Sequence, residues 1–213
     1  MGLDYSFVVV SPTDRVNILL RTISGYVSAE DSSRLQAALP WTPSIDRFSQ
    51  WRGQAPARDR RGFSNLPRYP HEVGDNRCFT FLFPPDDFLV DYERLCSSMP
   101  RTADGRVAVG CVWCCLSAGE ALAVFNATAA TSDMSRLFER SPGVRSLWSK
   151  ISIEATTTAL LFDFEDIDRW ELLYPRSEQV PRLDEEYYEL EDGYNLNIDA
   201  YFGETLRRAG IQP

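Results

Sequence analysis

Histidine and lysine each occur once in this chain, at His71 and Lys150. That scarcity removes whole mechanisms. A Ser-His-Asp or Cys-His unit would have to pass its proton through His71, which stands between Pro70 and Glu72 in an irregular stretch, and no Gly-x-Ser-x-Gly elbow accompanies it. Lys150 follows no Gly-x-x-x-x-Gly-Lys loop and no Gly-x-Gly-x-x-Gly opens a helix, so nucleotide chemistry through the usual phosphate-binding loops is not expected. Long apolar runs are missing as well. The first, Phe7 to Val10, is too short for a signal-peptide core and has no basic residue before it, and nothing approaches the roughly 20 apolar residues of a membrane span. Cysteine is sparse and odd in number: five residues, three of them within 111 to 115, make no disulfide framework and fit a reducing compartment. The chain reads as cytoplasmic, with no membrane contact.

What is present belongs to an ordinary globular protein. With 213 residues, 44% hydrophobic and 25% charged, the chain is long enough to bury a sizeable core and is not disordered as a whole. Its charge is unevenly spread. Residues 1 to 162 carry seventeen acids and seventeen bases, whereas Asp163 to Glu204 carry fourteen acids against Arg169, Arg176 and Arg182. The net charge of -9 therefore sits at one end, where it attracts basic surfaces and repels nucleic acid and anionic lipid.

Periodicity gives alternating strands and helices. Tyr5 to Val10 reads as a strand, and Ser11-Pro12-Thr13-Asp14 as the capped start of a helix carrying Val16, Leu19, Leu20 and Ile23 on one face and closed by Gly25 in a left-handed conformation. A short helix is expected from Ala29 to Leu39 with Ser28 as its cap. From Trp41 to Asn76 regular signals stop: four prolines, three glycines and scattered aromatics make an irregular insert rich in Arg. Cys78 to Phe83 reads as a strand, Asp86 onward as a helix, and Arg106 to Leu116 with Ala121 to Thr128 as a hairpin joined across Ser117 to Glu120, where Gly119 is expected to supply the positive φ of a tight turn. Both faces of the first hairpin strand are apolar, with Val107, Val109, Cys111, Trp113 and Cys115 on one, so a central, doubly covered strand is expected. Helices follow from Ser132 and from Ser141-Pro142, strands at Thr157 to Phe164 and Arg169 to Tyr174, and a last helix at Ile198 to Ala209 stopped by Gly210. The whole is a single-domain α+β fold, a mainly antiparallel mixed sheet with helices packed on it and one irregular insert, about 41 to 76.

Each group of residues with chemical potential has a plainer reading. Cys111-x-x-Cys114 lies inside the most apolar strand, where side chains three apart point to opposite faces, so these thiols are expected in the core rather than on zinc. Arg residues interleaved with Trp41, Phe48, Trp51, Phe63 and Tyr69 would suit a scaffold surface, while the acidic total argues against direct nucleic-acid binding. Asp163, Glu165, Asp166 and Asp168 form the best enzymatic candidate, a carboxylate cluster able to hold Mg²⁺ or Mn²⁺ in a hydrolase, although strand ends and turns are commonly built from the same residues. The strongest feature is Asp184, Glu185, Glu186, Tyr187, Tyr188, Glu189, Glu191, Asp192 and Tyr194: six acids and three tyrosines with no base between them. Negative potential beside rigid amphipathic rings is the combination that interfaces with basic proteins favour. The sequence is read as an acidic binding module without a cofactor and without catalysis. Its expected role is that of an inhibitor or immunity-type protein that neutralises a basic partner such as a nuclease toxin. The hydrolase and the scaffold are the alternatives.

Overall fold

The computed structural model describes residues 5–37, 39–41, 78–95, 101–164, 169–183 and 196–213. The irregular insert lies outside these residues apart from Trp41, as do His71, Glu165, Asp166, Asp168 and the whole acidic run from Asp184 to Tyr194. In chain order the elements are β1 (Ser6–Pro12), α1 (Val16–Ser24), α2 (Ala29–Ala37), β2 (Cys78–Phe83), α3 (Asp87–Leu95), β3 (Val107–Ala118) and β4 (Leu122–Thr128). They continue with α4 (Ser132–Arg140), α5 (Pro142–Glu154), β5 (Ala159–Asp163), β6 (Arg169–Tyr174), β7 (Glu178–Pro181) and α6 (Ile198–Arg208). Among the described residues seven strands form one sheet in the order β2-β3-β4-β1-β5-β6-β7. Every pairing among them is antiparallel, so the sheet is not mixed. The α+β single domain stands.

The centre of the sheet is β1, not β3. Phe7, Val8, Val9 and Val10 are all fully buried, because helices cover both faces of this strand, which is why its sequence is a continuous apolar run rather than an alternation. On one face Phe7, Val9, Phe81, Phe125 and Phe162 pack against residues of α1 to α5, with Trp148 of α5 stacked on Phe7 at 5.4 Å between ring centres. On the other face Val8, Val10, Val124, Leu161, Trp170 and Val180 meet Ile198, Tyr201, Phe202 and Leu206 of α6. The sheet is thus a wall between a thick helical layer and a single helix.

Local signals account for most ends. Ser141 accepts from the Val144 N–H at 3.0 Å with Pro142 in the first turn, and Gly210 takes the left-handed conformation, φ +67°, after α6. Two expectations differ. Strand β1 runs on through Ser11 and Pro12, and α1 begins only at Val16 after a 3-10 turn, so Ser11 caps nothing; its hydroxyl donates to the Pro12 carbonyl. Gly25 stays right-handed at φ -76°. One carboxylate ties two helices together: Asp86 accepts from the Leu89 N–H at the start of α3 and also from the Ser141 hydroxyl (2.6 Å) and the Gly143 N–H (2.7 Å) at the start of α5. A Cβ at Gly143 would lie 2.6 Å from the Pro84 carbonyl oxygen and 2.9 Å from this carboxylate, which is why a glycine stands there.

The most consequential local feature is a bulge in β3. From Phe79 to Phe81, β2 advances two residues, while the partner positions on β3 run from Val112 to Val109, three residues. One extra residue reverses the side-chain alternation, since a shift of one exchanges the two faces of a strand. Val107 and Val109 face the helical layer before the bulge, and Val112, Cys114, Leu116 and Ala118 face it after. Trp113 and Cys115 do not continue the Val107 and Val109 face. They point to the opposite one.

Candidate functional site

The bulge helps assemble a row of side chains across the α6 side of the sheet. Cys78 pairs with Trp113, Trp113 with Thr128, Thr128 with Ser6, and Ser6 with Asp163, so five strands contribute to one line in the order β2-β3-β4-β1-β5. Ser6 and Thr128 share a hydrogen bond of 2.9 Å, and the Thr128 hydroxyl also donates to Asn126, one row further along. α6 packs on β4 and β7 with its anchor at the opposite, hairpin end of the sheet. Trp113 lies beyond it, 49% exposed.

The far end of the row is a buried ion pair. Asp163 accepts from Arg182 at 3.0 Å, with only 3% and 13% of the respective side chains exposed, and the guanidinium lies 4.9 Å from the centre of the Trp170 ring. An Arg so placed neutralises the carboxylate and stacks at the same time, which a Lys does not do. Of the carboxylates proposed as a metal centre, Asp163 is the one described, and it is committed to this pair. Among the described residues no group of three or more His, Cys, Asp and Glu is placed to hold a metal.

Arg182 and Leu183 stand immediately before the acidic run, and α6 follows its end. Both feet of that run are fixed. At the first, Leu183 is buried, and its carbonyl accepts a hydrogen bond from the Tyr201 hydroxyl of α6 at 3.5 Å. At the second, Asn197 accepts from the Ala200 N–H at 3.0 Å and caps α6. The Asp199 carboxylate then accepts from three consecutive N–H groups of the β3–β4 turn, Glu120 (2.7 Å), Ala121 (3.2 Å) and Leu122 (2.8 Å). Gly119 serves this contact rather than a positive φ. A Cβ there would lie 2.5 Å from the Asp199 carboxylate.

The thiols divide by face. Cys114 is buried, and burial, then its neighbours Cys115, Cys78 and Asp31, push its thiol well above the usual range. Cys78 and Cys115 are only half-buried, so the expectation that the hairpin thiols are core residues holds for Cys114 and fails for Cys115, while the Cys111 side chain lies outside those described. On brief alkylation of the native protein followed by peptide mass spectrometry, Cys78 and Cys115 should be labelled while Cys114 stays unmodified until the fold is disrupted, because the reactive species is the thiolate. Labelling of Cys114 at the same rate as Cys115 would contradict the burial.

Charge on the described residues is nearly balanced. The described residues hold seventeen acids and fifteen bases, and the remaining fourteen acids and seven Arg lie outside them. Many of the described charges are paired with each other: Asp31 with Arg34, Glu93 with Arg101, Glu171 with Arg145, and Glu204 with Arg207 and Arg208. Asp184, Glu185, Glu186, Tyr187, Tyr188, Glu189, Glu191, Asp192 and Tyr194 are not among the described residues. Trp113, Arg182 and Asp199 were not singled out from sequence. A glycine inside a strand, Gly110, is the signal that could have pointed to the bulge and so to Trp113. Among the described residues no helix is long and apolar enough to cross a membrane. No family model, no curated protein and no solved structure matches this chain.

Proposed function

We propose that this protein is an acidic, non-catalytic docking module of the cytoplasm that occludes a basic protein, in the manner of an inhibitor or immunity protein directed at a partner such as a nuclease toxin. The observation that carries this reading is the concentration of negative charge in one stretch of the sequence. The described elements are almost neutral and largely self-paired, whereas six acids and three tyrosines stand together in one short segment between Leu183 and Leu196. Residues at both ends of that segment are held by buried or hydrogen-bonded contacts, Asp163 with Arg182 on one side and Asp199 with the hairpin turn on the other. A segment whose flanking residues are held loses less conformational entropy on binding than a free tail, which favours affinity. A cationic protein surface that must hold phosphates is a natural target for such a segment.

The test uses the full chain as bait in its native cell extract. Parent protein should retain a protein of net positive charge, and a chain in which Glu185, Glu186, Glu189 and Glu191 are all changed to Gln should lose it at moderate salt. Equal retention by both chains would remove the basis for this function.

A further inference from the structure

We draw no further inference here: the strongest candidate, the exposed Trp113 ring flanked by half-buried Cys78 and Cys115 on the α6 side of the sheet, carries nothing because no described part of the structure shows what covers it.

Discussion

Arg182→Ala is expected to lower the unfolding free energy by about 3–5 kcal/mol, the loss typical when one partner of a buried ion pair is removed and the other charge stays buried. The size follows from burial. Asp163 has 3% of its side chain exposed and cannot turn to water when Arg182 is gone, and the Trp170 ring loses the guanidinium stacked on it. Against a total stability of about 5–15 kcal/mol, such a loss brings the domain near its unfolding threshold at room temperature. Replacing both partners by apolar side chains of similar volume, Asp163→Leu with Arg182→Met, should recover most of it, since the pair compensates its own desolvation cost and adds little more. Urea denaturation of the parent and the two variants at equal slope measures the difference. Equal stability of Arg182→Ala and the parent would mean that the pair is not buried as described.

Gly119→Ala should have a comparable effect for a different reason. The new methyl group would sit 2.5 Å from the Asp199 carboxylate, so that carboxylate must withdraw from the three N–H groups it accepts. Overpacking costs about 1–3 kcal/mol and each lost bond to a charged acceptor about 1.5–3 kcal/mol, reduced here because part of the turn can return to water. A net loss of about 3 kcal/mol is expected. The mechanism predicts strong non-additivity: in an Asp199→Ala background, Gly119→Ala should cost nearly nothing, because no carboxylate remains to collide with. Hydrogen exchange at Glu120, Ala121 and Leu122 should accelerate in both single variants. Additive losses in the double variant would show that Gly119 matters for its backbone and not for room.

The elements were legible in the sequence because their signals are local. Cys78–Phe83 and Arg169–Tyr174 are short runs with strand composition, Ser141-Pro142 is a complete helix start, and Gly210 a complete stop. Misreadings arose where a local rule met a distant partner. Gly119 sits in a turn and invites a positive φ, yet its role is set by Asp199, a contact no turn rule contains. Ser11-Pro12 resembles a helix cap, but both residues are drawn into pairing with Ala123 and Leu122 across β4. The face reversal in β3 turns on one residue near Gly110, and every side chain after it changes sides. β7 was missed altogether because Glu178–Pro181 is four residues with only Val180 buried, a pattern too short to show a period. The candidate acidic run, by contrast, is read from charge alone, and charge is a property of composition that needs no fold to be seen.

The most direct test of the account is the salt dependence of association between the full chain and the basic partner proposed for it, followed by stopped-flow fluorescence. Attraction between a concentrated negative segment and a cationic surface acts over distances longer than the roughly 8 Å screening length at physiological ionic strength. The account predicts an association rate that falls steeply as salt rises, and a shallower dependence once Glu185, Glu186, Glu189 and Glu191 are changed to Gln. A rate independent of salt, with parent and Gln variant superimposed throughout, would contradict it.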